Sequence, residues 1–520
     1  MRRPALAGAA ALALGAVLFL VRAGARDPWE PDETRHLHMG REIGTAGSWL
    51  FPTLRGSPYP DYGPLFFWLI RGFGAVFGPT DVRAGVYATA AGALAALLAT
   101  LALGRALGGA RTGVIAALVL ATTANFAFEA RSVELDVWLA ATVPLALLGF
   151  WRWHGGDGRW FAVGVLGGAL GWLIKGPVGF LLPGLGFTAW LAARRDGRGL
   201  ARFALWGGAA FVGCALAWYG LAALLEGAAF AKQILVQETV ARFFTREHHR
   251  RGALYLAARL PLQLLPWTPF LVAAVVRLRR SEARRDPAFL LPLAALAAVL
   301  VFFSLSRTKR SSYLLPVYPL AAVAVGAWWD RLREAPGRPF RPLGVAAGAV
   351  VAGCGAAAVP FARAWAPERM ALAWIGTGLL VPVGIGVALL FQRRLGARAQ
   401  LLAWVGTAAV MILAWGVLAE PAMNDQKSYR PIAEEMRALA APGARFLTYG
   451  FDSEALRLYF PGIRGLRTPQ AFRDAAAAGP FVVLVEERDW GEIEGAARRE
   501  RDVTLGRNRF VLGVGAGPDR

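Results

Sequence analysis

Long apolar runs separated by short polar interruptions cover most of the chain. About 20 apolar residues in a helix cross the hydrocarbon of a bilayer. Runs of this kind lie near 4–23, 84–104, 112–128, 133–151, 160–174, 177–193, 203–225, 261–278, 288–304, 312–329, 342–362, 370–391 and 400–418. The pattern predicts an all-α polytopic membrane protein with about 13 transmembrane helices. The stretch 64–78 is short and carries Arg71, which predicts an interfacial or re-entrant helix. After Glu420-Pro421 the pattern changes. Arg445 to Tyr449, Pro480 to Val485 and Phe510 to Val514 read as strands, and Ser453 to Tyr459 as a helix. The chain therefore divides into a membrane domain over 1–419 and a soluble α/β domain over 420–520. No internal repeat of fixed period is visible.

Composition supports this division. Apolar residues make up 56% of the 520, charged residues 18%, and the mean hydropathy is +0.43. Disorder and a disulfide scaffold are excluded, the latter because there are only two cysteines. The formal charge of +22 fits a nucleic-acid binder or a membrane protein rich in cytoplasmic cations, and the apolar runs favour the second. With Arg2 and Arg3 inside, the inner segments hold 22 Lys and Arg, against 7 in the short outer loops. This places the N-terminus in the cytoplasm, the first helix uncleaved, and the tail outside the membrane. Two further segments, 24–83 and 226–260, then form long outer loops.

Charges beside a membrane are costly and call for a reason. Asp32 and Glu33 follow the first span directly, where they would also open a helix. Glu134 and Asp136 sit at the outer end of the fourth span, with Arg131 as their expected ion-pair partner. Lys175-Gly176-Pro177 joins two spans with almost no loop. His248-His249 is a weak metal signal, since adjacent histidines share a poor geometry. The stretch Ser304 to Tyr313 is basic although it faces outward, which suits an anionic ligand. Carboxylates near cations on one face suit transfer from a lipid-linked phosphate donor. The leaving phosphate needs positive charge, and the acceptor hydroxyl needs a base.

These residues, taken in order, resemble the membrane-embedded GT-C glycosyltransferases. The likeness is to the lipid A aminoarabinose transferase and protein O-mannosyltransferase-like group. An acidic pair after the first span matches Asp32-Glu33. A Tyr-x-acid-x-x-Pro stretch matches Tyr59 to Pro64, and an acidic position after an Arg matches Arg131 and Asp136. The Lys-Gly-Pro turn matches Lys175 to Pro177. A Glu-x-x-x-Arg-Phe loop with a following His matches Glu238, Arg242, Phe243 and His249. A further stretch matches Phe303, Ser304, Ser306, Lys309, Tyr313 and Pro316, and Lys427-Ser428 follows the last span. The chain departs from the pattern at Tyr62, where the group has Lys, and at Gly63, where it has a second Pro.

The resemblance implies sugar transfer from a polyprenyl phosphate, of undecaprenyl type in bacteria, at the outer face of the inner membrane. The acceptor would be a lipid, glycan or protein, and the partners lipids rather than nucleic acid. Asp32 is the implied acid/base, with Glu33 and Asp136 as further catalytic carboxylates. Lys175, Arg242, Lys309, Arg307 and Tyr313 are the implied phosphate ligands. In some members a divalent metal bridges the positions of Asp61 and His249. A transporter or lipid flippase is the alternative. It would place ionisable groups near the midplane and show repeats, neither of which is seen. An assembly protein would leave the acidic pair unexplained.

Overall fold

The computed structural model describes residues 2–45, 48–79, 81–236, 251–332, 341–365, 370–392 and 396–515. It is mostly helical. In chain order the first elements are α1 (Arg2–Leu20), α2 (Asp32–Glu42), a short hairpin of β1 (Thr53–Leu54) and β2 (Ser57–Pro58), and α3 (Leu65–Phe77). Then come α4 (Val82–Gly108), α5 (Ala110–Ala121), α6 (Ala124–Glu129), α7 (Asp136–His154), α8 (Trp160–Lys175) and α9 (Pro177–Ala193). Longer helices follow at Gly197–Glu226, Pro287–Leu305, Arg341–Trp365, Met370–Gln392 and Ala397–Ala414.

Local chemistry sets the helix ends. Asp81 caps α4 by accepting from the Arg83 N–H, and Gly109 ends it at φ 94°. A positive φ of that kind favours glycine. Lys175 ends α8, Gly176 turns the chain at φ 62°, and Pro177 opens α9, where a missing N–H costs nothing. Among the described residues, seven helices are long and apolar enough to cross a membrane on their own, so the protein is multi-pass. Each predicted span corresponds to helix, with two differences. The run 112–128 is two helices, α5 and α6, broken at Thr122-Thr123. The run 261–278 is a pair, Tyr255–Gln263 and Thr268–Arg277, bent by 115°. Pro266 lies in the break, where it removes an N–H and turns the preceding residue from helix.

The bundle is unevenly packed. The most apolar stretch of Ser311–Arg331 is 89% buried and that of α4 is 61%. In the hairpin Gly344–Arg363 and Met370–Leu390 the shares are 22% and 17%, which leaves its sides for lipid. On the face carrying the charged loops, α2 packs on α3, and α3 lies along α4. The stretch 64–78 is thus a helix bound to that face.

The tail forms one five-stranded sheet of order β4-β3-β5-β7-β6, from β3 (Arg445–Tyr449), β4 (Arg464–Leu466), β5 (Phe481–Glu486), β6 (Arg498–Leu505) and β7 (Asn508–Gly515). β3 runs parallel to β4 and β5, while β7 is antiparallel to β5 and β6. Alternate residues of β5 face two cores: Val483 and Val485 meet Phe472, while Val482 and Leu484 meet Met436 and Leu456.

Candidate functional site

The first turn of α2 separates two adjacent carboxylates. Glu33 turns inward and is buried. It takes two bonds from the Arg26 guanidinium, at 2.6 and 2.5 Å, and accepts the N–H groups of Trp29 at 2.7 Å and Val133 at 3.0 Å. Burial works to raise its carboxyl, but Arg26 outweighs that and holds it below the usual range. Glu33 is saturated, and it ties the start of α2 to the segment leading into α7.

Asp32 faces the other way. It pairs with Arg35 one turn on and with Arg310 from the basic stretch. Burial raises its carboxyl, yet Arg310 first, then His36 and Arg35, hold it below the usual carboxylate range. Asp136 opens α7, and both its oxygens lie 2.6 Å from the Lys175 ammonium. That ammonium also stands 4.5 Å from the ring centre of Tyr313. Glu134 accepts from the Asp136 N–H at 3.0 Å, and burial first, then Asp136, pushes its carboxyl well above the ordinary range.

These groups meet around two cavities that share Tyr62, Lys175 and Tyr313. The smaller, of about 10 Å³, is lined by Asp32, His36, Glu134, Asp136, Arg310 and Ser312 as well. A volume of that order holds roughly one water. The larger, of about 100 Å³, adds Asp61, the Gly176-Pro177 turn, Trp218, Phe303, Ser306 and Thr308. Gly63 holds this wall in place. Its N–H donates to the Ile174 carbonyl at 3.1 Å, and an added Cβ would stand 2.2 Å from the Leu173 oxygen. A proline there would lose the bond, which accounts for the departure from the family pattern at this position.

The structure brings Asp32, Asp136, Lys175 and Tyr313 together at the small cavity, with Asp61 in the adjoining one. It does not bring the other basic residues there. Arg307 is exposed and outside the lining of either cavity. Lys309 is buried, and its ammonium donates to the carbonyls of Ser306 and Arg251. Glu238, Arg242 and His249 lie outside the described residues. Among the described residues no cluster of three or more His, Cys, Asp or Glu could hold a metal ion. Arg131 pairs with Glu420 instead of Glu134 or Asp136, and also caps the carbonyls of Leu18, Val21 and Gly416.

Six residues lining the small cavity are not among the sequence candidates for the site: Arg310, His36 and Glu134, with Tyr62, Leu135 and Ser312. Arg310 belongs to a stretch whose basic character was legible, but its irregular backbone hides which side chain turns inward. The tail reaches the same region. Glu30 accepts from the Ser453 hydroxyl at 2.6 Å and the Ala455 N–H at 2.7 Å. Arg55 pairs with Asp452 at 2.6 Å and also with Glu454, and the His38 ring bonds the Glu454 carbonyl at 2.9 Å. The tail thus braces the helix that carries Asp32.

Residues 60–249 match the family described as dolichyl-phosphate-mannose-protein mannosyltransferase. The chain is similar to the undecaprenyl phosphate-alpha-4-amino-4-deoxy-L-arabinose arabinosyl transferase of Pseudomonas aeruginosa (strain LESB58), at 30% identity over 330 residues. That match covers 61% of this chain and 58% of the relative. The protein of the same name from Edwardsiella ictaluri is 25% identical over 324 residues, covering 61% of this chain and 58% of the relative. The chain thus spans little more than half the length of these curated relatives. Its structure is similar to that of ArnT from Cupriavidus metallidurans bound to undecaprenyl phosphate, with TM-score 0.77 and 20% identity over 98% of this chain and 99% of that one. It is also similar to the archaeal oligosaccharyltransferase AglB from Archaeoglobus fulgidus, with TM-score 0.54 and 14% identity over 94% and 70% of the two chains. The polytopic fold with a small C-terminal sheet, and the resemblance read from the motifs, are both borne out.

Proposed function

We propose that the protein transfers a sugar from a polyprenyl-phosphate donor, of undecaprenyl-phosphate type, to a lipid, glycan or protein hydroxyl. The place is the outer face of a bacterial inner membrane, with the N-terminus cytoplasmic and the tail outside. One observation carries this reading: two carboxylates from different elements border one small cavity, each held by a cation. The names of the relatives and the lipid in the similar solved structure support the donor class.

The residues then divide the work. As the bond from the sugar carbon to the phosphate oxygen breaks, negative charge collects on the phosphate. Lys175 and Arg310 stabilise that charge, with Tyr313 beneath the lysine. Positive charge builds on the sugar ring, and Asp32 and Asp136 face it. Asp32 suits this because it stays ionised. Attack from the side opposite the phosphate inverts the sugar carbon. Glu33 takes part by holding α2, through Arg26 and Val133.

The test is incubation of purified protein with radiolabelled polyprenyl-phosphate sugars, comparing wild type with Asp32→Asn. Wild type releases sugar to acceptor or water. The variant loses roughly 100-fold or more in rate, the scale of a removed transition-state partner, and melts at an unchanged temperature. Normal turnover by the variant removes Asp32 from the chemistry. Failure of wild type to bind any such lipid shifts the protein to the transport reading.

A further inference from the structure

We propose that the Nε2 atom of His36 takes the proton from the acceptor hydroxyl as it attacks the sugar carbon. The assignment rests on the functional reading above. His36 lies one turn after Asp32, on the same face of α2. Its Nδ1 is 2.8 Å from the Val133 carbonyl oxygen. A carbonyl only accepts, so Nδ1 carries the hydrogen and a neutral ring keeps a bare lone pair on Nε2. That Nε2 is buried and has no hydrogen-bond partner, while the ring lines the small cavity. Tyr62, Phe66 and Phe67 surround the ring at centroid distances of 5.6, 5.8 and 6.1 Å and fix its plane.

The competing bases are already engaged. Asp32 holds two guanidinium groups, and both oxygens of Asp136 are on Lys175. Glu134 is pushed toward its protonated form. Burial lowers the His36 imidazole below its ordinary value, so the ring is neutral at neutral pH and ready to accept. Several charged or titratable groups surround it. Asp32, Glu33 and Arg35 share its helix, and Tyr62 precedes α3. Glu134 comes from the segment before α7, Asp136 from its first residue, Lys175 from the end of α8, and Arg310 and Tyr313 from the basic stretch. Asp32 and Asp136 favour the imidazolium that forms, and Arg35 opposes it.

The step balances. The acceptor oxygen forms a bond to the sugar carbon, and the carbon–oxygen bond to phosphate breaks with its electron pair leaving on the phosphate. The acceptor proton moves to Nε2 and afterwards to solvent.

Two substitutions separate proton transfer from packing. In His36→Asn the side-chain amide can still donate to Val133, whereas Nε2 is gone. In His36→Gln an amide stands near Nε2 but cannot take a proton. Full-length wild type and both variants are given undecaprenyl-phosphate-linked radiolabelled sugar in lipid nanodiscs, and release is followed from pH 5 to 9. The wild-type rate falls as pH drops through the imidazole pKa, below the ordinary value. Both variants are slower by about 100-fold, the usual scale of general-base catalysis, and their remaining rate lacks this acid limb. A variant that keeps the wild-type rate, or an acid limb that persists in both variants, overturns the assignment and leaves the donor reading intact. Absence of release by wild type overturns both together. If His36→Asn does not fold, the limb in His36→Gln decides.

Discussion

Two regions of the molecule hold buried charge in different ways. In the brace between loops and spans, the carboxylates are saturated. Glu33 has Arg26 and two backbone N–H groups, and Glu420 has Arg131, which also satisfies three carbonyls. At the cavity, the Asp32 and Asp136 carboxylates are held by the side-chain cations Arg35, Arg310 and Lys175, which can turn to a ligand. Saturation marks a group that fixes structure. Engagement by side-chain cations beside a cavity marks one that can exchange partners with a substrate.

The largest expected effect strikes the brace. Arg131→Met removes one half of a pair whose side chains are 2% and 4% exposed. Breaking such a pair costs about 3–5 kcal/mol, because the remaining charge stays buried without compensation. The melting temperature of purified protein should fall sharply, and Glu420→Gln on top of it should recover part of the loss. An unchanged melting temperature would erase the distinction between the two regions.

This same residue shows where the sequence stops being legible. The spans, the tail and the positions of Asp32, Asp136 and Lys175 follow from local pattern, because each depends on a nearby run or helix end. The partner of Arg131 does not. It lies 289 positions along the chain, while three carboxylates, Glu129, Glu134 and Asp136, stand within five residues of it. Packing of α6, just before Arg131, against the helix Ala397–Ala414 brings Glu420 into reach. The choice between Lys309 and Arg310 is equally hidden, since a one-residue change in an irregular segment reverses a side chain. In the tail, β5 is apolar and reads as a strand. β6 begins Arg498-Arg499-Glu500-Arg501-Asp502 and lies at the sheet edge with those five residues exposed, so it shows no alternation. Gly63 reads as a departure in the sequence, but its reason lies in the approach of α8.

A smaller loss of stability and a large loss of rate should follow at the cavity. Lys175→Gln removes the cation from Asp136 in a pair less buried than Arg131–Glu420, with 13% of the lysine side chain exposed against 2% of the arginine. The melting temperature should drop less than in Arg131→Met. Sugar release should fall by roughly 100-fold, as for other lost stabilisers of a developing anion. Measuring both on one preparation sharpens the comparison. A stability loss equal to that of Arg131→Met, with the rate of the folded fraction preserved, would move Lys175 into the brace.

The smallest effect is expected at Arg307. Sequence pattern groups it with Lys309 and Arg310, and resemblance offers it as a phosphate ligand. Its side chain is exposed, and it lines neither cavity, whereas Arg310 three residues on reaches Asp32. A surface position of this kind tolerates substitution within about 0.5 kcal/mol. Arg307→Ala should therefore keep both the melting temperature and the rate of sugar release. Arg310→Ala, assayed beside it, should lose rate, because Asp32 would keep Arg35 alone and the phosphate would lose a cation. If Arg307→Ala instead lost as much rate as Lys175→Gln, the basic stretch would have to turn in when donor binds. The division between engaged and idle cations would then fail on donor binding.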